Sequence, residues 1–334
     1  MKRILHLPLI SLAALSLSAI AVAESTPKVA NVLMLAGKPS HGRGAHEHNA
    51  GTLLLKKCLD ESGLRVKTTV IHNGQWATPE QLAAADTVLI YCDGGPHHLT
   101  LEGDRMQQLT KEMKRGCGLI CLHYGVEIPK TNGGPELLEW MGGYFETDWS
   151  VNPHWDAEFT KYPEHPISNG LKPYTMRDEW YFHMRFADQD KGQLTHVLSA
   201  IAPESTMRRK DGPHEGNPDV RKAVAAGLPQ TVAWAFERKG GGRGFGFTGG
   251  HFHKNWGDDN QRKVVLNAIL WTAKAEVPAD GVASKVTAKE IEQNLDPTPQ
   301  RKKKQTMNAP QPLLPDHTAD PAFCAACNHV LPKH

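Results

Sequence analysis

The stretch "SHGRGAHEHNAG", residues 40–51, places His41, His46, Glu47 and His48 in a glycine-rich segment directly after an apolar run. Turns need glycine, but they do not need imidazoles. The pattern recurs along the chain. Asp93, His97 and His98 follow "ADTVLIY", His123 and Tyr124 follow "CGLICL", and His251 and His253 follow "GFGFTGG". Histidine and carboxylate side chains suit two chemistries near neutral pH, proton transfer and coordination of a divalent metal ion.

Two alternating segments add candidates. In "DEWYFHMRF", Glu179, Tyr181, His183 and Arg185 alternate with Trp180, Phe182, Met184 and Phe186. A strand would set the polar four on one face and the apolar four on the other. In "HWDAEF", His154, Asp156 and Glu158 alternate in the same way, which also describes an edge strand with a solvated face.

Nucleophilic catalysis has little support. No G-x-S-x-G occurs, and the turn after the fourth apolar run is His123-Tyr124-Gly125, with Cys121 two residues earlier inside the run. The histidines together with Glu179 form a donor set that zinc prefers. No H-E-x-x-H occurs, since "HEH" at 46–48 lacks the helical spacing. Metal-free acid–base chemistry by His and Glu is the rival.

The elements that must position these groups alternate between strand and helix. "VANVLMLAG", "RVKTTVIHN", "ADTVLIYCDGG" and "CGLICLHYG" read as strands, with helices predicted at "AGTLLLKKCLDESG" and "TLEGDRMQQLTKEMKRG". Continuous apolar strands separated by helices predict a mostly parallel α/β sheet covered on both faces. From about residue 140 to 202 the chain turns β-rich, as a portion that rejoins the sheet. "QTVAWAFERKGGGRGFGFTGG" predicts a hairpin and "NQRKVVLNAILWTAK" a closing helix. In such sheets ligands bind beyond the carboxyl ends of the strands, which is where the histidines fall.

The 334 residues, 40% hydrophobic and 22% charged, have ordinary globular composition. Residues 1–23 read as a secretory signal ending in Ala21-Val22-Ala23. Export follows from that reading, to the periplasm where the cell has an outer membrane and otherwise to the medium. The leader carries Lys2 and Arg3 and no acid, so the 38 basic residues fall to 36, equal to the 36 acidic ones. A balanced chain gives no footprint for nucleic acid, and no later stretch predicts stable membrane insertion. Cys117 and Cys121 lie about 13 Å apart along one strand, too far to bridge. With Cys58 and Cys92 they read as buried small hydrophobes. The domain is expected over 24–276, and 277–334 as a mobile Pro/Lys-rich extension. Its "CAACNH" sets Asn328 where haem attachment needs histidine, so haem is not expected.

"HYG" after an apolar strand, "HPISNGL", "DEWYFHMRF", "GGHFH" and "NAILW", in that order, resemble the trehalose-utilisation, ThuA-like family. The resemblance spans roughly residues 29–274. It implies a flavodoxin-like, class I glutamine amidotransferase-like fold without the amidotransferase cysteine. It also implies a role in sugar catabolism, with 3-keto sugars in view. Carried over by motif, His123, Glu179, Tyr181 and His251 are the expected functional positions, while the loop with His41, His46 and His48 has the look of a subgroup feature.

The expected activity is hydrolysis, isomerisation or elimination within a sugar or 3-keto glycoside, aided by a divalent metal, zinc foremost, and with no nucleotide. The catalytic assignment is His123, Glu179 and Tyr181, and the metal assignment is His123, Glu179, His183 and His251. His41, His46, Asp93, His97, Tyr124 and Arg185 are assigned to substrate, with Trp149, Trp155 and Trp180 as a stacking wall. A carbohydrate-binding protein without turnover, using the same cleft, is the alternative.

Overall fold

The structure, a computed structural model, describes residues 28–297. The expected leader and the CAAC segment lie outside the described residues. The chain runs β1 (Ala30–Ala36), α1 (His48–Asp60), β2 (Val66–Ile71), α2 (Pro79–Ala84), β3 (Thr87–Tyr91), α3 (Arg105–Lys114) and β4 (Gly118–Leu122). It continues through α4 (Gly134–Met141), β5 (Gly143–Tyr144), β6 (Trp155–Phe159), β7 (Tyr174–Asp178), β8 (Arg185–Phe186) and β9 (Gly192–Ile201). It closes with α5 (Pro218–Ala225), β10 (Pro229–Arg238), β11 (Arg243–Phe247), α6 (Asp259–Thr272) and α7 (Ala288–Ile291).

Seven strands form one sheet in the order β2-β1-β3-β4-β11-β10-β9. The first five are parallel, and β10 runs antiparallel to both its neighbours. The order of the parallel five is that of a flavodoxin-like sheet. Alternation along each strand explains the coverage of both faces. Val32 and Met34 of β1, with Ile120 and Leu122 of β4, join the cluster containing α1 and α6. Leu33 and Leu35, with Leu119 and Cys121, join the opposite cluster, under α2, α3 and α4. Each strand therefore reads as continuously apolar because both its faces are buried. Cys58, Cys92, Cys117 and Cys121 are buried free thiols, as expected.

The β-rich portion contributes β9 to the sheet edge and two small antiparallel pairs, β5 with β8 and β6 with β7. The β6–β7 pair has the register Trp155↔Asp178, which brings His154 opposite Glu179 one step further on. No helix among the described residues is long and apolar enough to cross a membrane.

Residues 277–297 depart from the expected mobile extension. Val282 and Ile291 are buried, and the Val282 N–H donates to Asn267 Oδ1 of α6 at 2.8 Å. Asp296 N–H reaches back to Glu47 Oε2 at 2.6 Å. The segment has few apolar residues, so composition alone conceals its docking. Two apolar anchors and these backbone bonds hold it in place.

Candidate active site

The parallel strands end at one edge of the sheet, and the residues that follow them meet there. His46 lies in the loop after β1, Asp93 follows β3, His123 follows β4 and His251 follows β11. The first and last of these loops are stitched together. His46 N–H donates to His251 O at 3.1 Å, and His253 N–H donates to Gly44 O at 2.9 Å. Buried Glu47 accepts from the Gly44 N–H at 2.7 Å, which fixes the turn ahead of His46.

His46 and His123 both adopt φ 52°, a left-handed conformation that non-glycine residues seldom take. Such strain persists where the surroundings over-determine it, and it concentrates at functional sites. At His123 it falls in the sharp turn between β4 and the 3₁₀ turn His123–Val126, where an amidotransferase would carry its nucleophile. Gly250, at φ 106°, is a further left-handed position beside it, with the Trp256 ring 3.3 Å from where a side chain would begin. Its N–H, like that of His251, donates to the fully buried carboxylate of Asp178, at 2.9 Å and 3.1 Å.

Four donor atoms converge. His46 Nε2 lies 3.1 Å from His123 Nε2 and 3.1 Å from His251 Nδ1. Glu179 Oε2 lies 3.1 Å from His251 Nδ1 and 3.5 Å from His123 Nε2. All four lie within 4.8 Å of one another. The tautomers are set from outside. His123 Nδ1–H donates to Thr248 O at 2.8 Å, and His46 Nδ1–H donates to Asp93 Oδ1 at 3.1 Å. Each ring then turns an unprotonated Nε2 inward. Ligands at about 2.1 Å around a tetrahedral ion sit about 3.4 Å apart, close to the four separations of 3.1–3.5 Å found here.

Burial pushes His46 down to about 3, against the Asp93 hydrogen bond, so its imidazole is neutral at any physiological pH. Burial would raise Asp93, but the His46 hydrogen bond and the neighbouring imidazoles outweigh it and bring the carboxyl to about 2. Glu179 follows the same logic. Burial opposes its ionisation, yet the imidazoles of His123 and His251 beside it hold the carboxyl well below the usual range. The Tyr181 phenol is pushed well above its usual value by burial and by the Glu179 charge. Its oxygen lies 3.3 Å from both His123 Nε2 and Glu179 Oε2.

The remaining expected residues divide. The His41 ring stacks on His46 at 3.5 Å, and the Tyr124 ring stands 5.8 Å from His46. A cleft of 480 Å³ adjoins Asp93 and is lined also by Lys38, His97 and Glu102. His98 borders the same cleft, but its ring is buried and bonds to Gly125 O at 3.0 Å. His183 and Arg185 do not reach the site. The expected strand over 178–186 does not form as one piece: β7 ends at Asp178, and the chain turns at His183, which takes φ 59°, stacks on Trp149 and bonds to Trp149 O at 3.1 Å. Arg185 pairs with Glu146 at 3.0 Å and covers the Trp149 ring. The stacking wall also fails, because Trp155 and Trp180 are core residues and Trp149 is taken by His183 and Arg185.

Three contributors were under-read in the sequence. His154 Nε2 stands 3.6 Å from Glu179 Oε1, and only the β6–β7 register reveals that meeting. Asp178 sits beside Glu179 in the same motif but serves the backbone of the Gly250–His251 turn. His48 opens α1 fully buried, close to Asp93.

The family model for ThuA, trehalose utilisation, matches residues 31–272. No curated protein matches. A solved structure of a ThuA-like protein from Bacteroides uniformis is 15% identical with a TM-score of 0.53, covering 74% of this chain and 93% of that one. A cytoplasmic protein from Salmonella typhimurium is 15% identical with a TM-score of 0.43, over 73% of this chain and 96% of that one. The first likeness bears on the fold and agrees with the flavodoxin-like sheet order. With strand-end loops, closing helix and all but the first residue of its sheet inside the matched span, the chain belongs to the ThuA, trehalose-utilisation family.

Proposed function

We propose that the protein is an enzyme of carbohydrate catabolism whose centre is a divalent metal ion, zinc foremost, held by His46, His123, Glu179 and His251. Its substrate is a sugar or 3-keto glycoside, transformed by hydrolysis, isomerisation or elimination. One observation carries this reading. Two Nε2 atoms, His46 and His123, face each other at 3.1 Å with their protons committed elsewhere. Two bare lone pairs at that distance repel unless a cation lies between them.

A bound divalent ion would supply Lewis acidity toward a carbonyl or hydroxyl oxygen of the sugar. This chain's residues supply the rest. With His123 and Glu179 engaged as ligands, the proton-moving role first assigned to them passes to Tyr181 and His154. The Tyr181 hydroxyl keeps its proton across the physiological range and donates a hydrogen bond to a substrate oxygen. His154, lowered by burial, stands at the rim as a neutral base whose Nε2 accepts a proton beside Glu179. Asp93, His97 and Lys38 give the adjoining cleft hydrogen-bonding groups suited to hydroxyls, and its volume falls in the range of small-ligand sites. The leader-like N-terminus supports work outside the cytoplasm.

The test is turnover on a panel of glycosides and 3-keto glycosides, before and after chelation. Conversion that falls on chelation and returns with zinc supports the proposal. Undiminished conversion by metal-free protein contradicts it.

A further inference from the structure

Glu47 joins the centre to a segment that no part of the account has yet used. It is buried beside His46, and its two carboxylate oxygens serve different parts of the chain. Oε1 accepts the Gly44 N–H at 2.7 Å, within the loop that carries His46. Oε2 accepts the Asp296 N–H at 2.6 Å, from 249 residues further on. Asp296 is tied a second time, since Asn49 Nδ2–H of α1 donates to its Oδ1 at 3.1 Å. Asn49 Oδ1 in turn accepts the Asn73 N–H at 3.0 Å, which carries the tie into the turn after β2.

The loop of His251 meets the same segment. Buried Ile291 of α7 seats against the 3₁₀ turn His253–Gly257, its Cγ1 3.9 Å from where a Gly257 side chain would begin. Lys57 of α1 holds α7 from the other side, paired with Glu290 at 2.9 Å and donating to Lys285 O at 3.1 Å. Residues 285–296 thus reach both of the loops whose crossing bonds bring His46 and His251 together. They lie beyond residues 31–272, the span that the family model matches. Hydrogen bonds from N–H groups to a carboxylate are strong and directional, so Glu47 held at both oxygens fixes the turn ahead of His46. The left-handed backbone of His46 persists only while its surroundings hold it. Without Asp296, Glu47 keeps only the bond inside its own loop, and His46 is freer to leave ligand geometry.

We propose that residues 285–296 are a strap that positions His46 for the metal ion through Glu47, so that strap docking and ion binding strengthen each other. The proposal rests on the reading of His46, His123, Glu179 and His251 as the ion's ligands. Such coupling is reciprocal: the factor by which docking tightens the ion is the factor by which the ion tightens docking. Glu47 and Asp296 act as positioning residues, and neither touches the ion.

The experiment pairs zinc affinity with hydrogen exchange. Chelator-stripped full-length chain, carrying Cys324→Ser and Cys327→Ser so that the CAAC pair cannot contribute, is titrated with zinc against a coloured chelator. Exchange in residues 285–297 is followed by mass spectrometry with and without zinc. Zinc should slow that exchange in this background. Ile291→Asp and Asp296→Ala should each bind zinc about tenfold more weakly or worse, as for other outer partners of a metal ligand. Val282→Ala is the comparison, because Val282 is also buried but is separated from α7 by the bonds of Arg262 to Ser284. It should lower the melting temperature and leave zinc affinity unchanged. Exchange indifferent to zinc, or background affinity in both Ile291→Asp and Asp296→Ala, would overturn the strap and leave the proposed function standing. An equal loss of affinity in Val282→Ala would overturn it too, by showing general destabilisation. A background that binds no zinc would overturn both. If Ile291→Asp fails to fold, Asp296→Ala decides alone, because Asp296 is only partly buried.

Discussion

His46 Nε2 faces His123 Nε2 across 3.1 Å, and each ring has its other nitrogen taken by an acceptor, Asp93 for His46 and the Thr248 carbonyl for His123. The two rings meet almost at right angles, 86°, with centroids 4.6 Å apart. Both residues hold left-handed backbone to do this. The arrangement costs backbone strain and sets two acceptors against each other, a repulsion that the proposed ion would relieve.

Replacing Glu179 or His251 should therefore remove activity while costing little stability. Glu179→Gln and His251→Ala are expected to unfold within a few degrees of the parent in the absence of metal. Both side chains sit at the cleft rather than in the core, 15% and 13% exposed, so their replacement opens little packing. Thermal unfolding after chelation checks this, and a large loss would show that these groups hold the fold.

Asp93→Asn tests the fixing of the His46 tautomer from outside. The amide can still contact the ring but no longer favours Nδ1–H with a charge. Outer partners of this kind are typically worth 10–100-fold in metal affinity or activity. Competition with a coloured chelator should show a drop of that order, and unchanged affinity would remove Asp93 from the account.

Asp178→Ala should behave differently. Its carboxylate is fully buried and takes the Gly250 N–H and Asn255 Nδ2–H, each at 2.9 Å, with Glu179 N–H at 2.8 Å. Hydrogen bonds to a charged group contribute roughly 1.5–3 kcal/mol each when intact. The variant should lose several kcal/mol in urea unfolding as well as activity. Stability equal to the parent would contradict the assigned role.

Ending the chain at Glu276 should destabilise it. The cut removes buried Val282 and Ile291, the bond from Val282 N–H to Asn267, and the bond from Asp296 N–H to Glu47. Burying such side chains is worth about 1.5–3 kcal/mol each, so a loss of roughly 3 kcal/mol or more is expected. An unchanged melting temperature would show that the segment does not dock in solution.

His214 offers a pH test away from the centre. Its hydrogen bond to buried Glu127, 2.8 Å, outweighs burial and raises its pKa above 6.5. The folded value lies above the unfolded one, so the pair stabilises fully below pH 6.5 and is lost as pH rises through the folded value. Parent protein should lose more stability between pH 6 and pH 8.5 than His214→Gln does. Equal slopes in urea unfolding would remove the pair as a contributor.

The sheet was legible because periodicity and burial agree along it. Val32 to Leu35 read as one apolar run, since both faces of a covered parallel sheet are apolar. From there the strand-end rule collects His46, Asp93, His123 and His251 without further information. The β-rich portion was harder, because its side chains obey local backbone rather than pattern. One left-handed residue, His183, ends the alternation after Tyr181 and sends His183 and Arg185 away from the site. His154 was hidden for a complementary reason, since its meeting with Glu179 depends on pairing between β6 and β7 across a gap of 14 residues. Docking of residues 277–297 rests on two apolar anchors, too few to register as composition.

X-ray absorption at the zinc edge tests the central claim most directly, on zinc-loaded full-length protein carrying Cys324→Ser and Cys327→Ser. The account predicts imidazole scattering with nitrogen and oxygen neighbours at about 2.0–2.2 Å, diminished when His123 or His251 is replaced. A spectrum of hydrated zinc without imidazole scattering, or one unchanged in both variants, would contradict it.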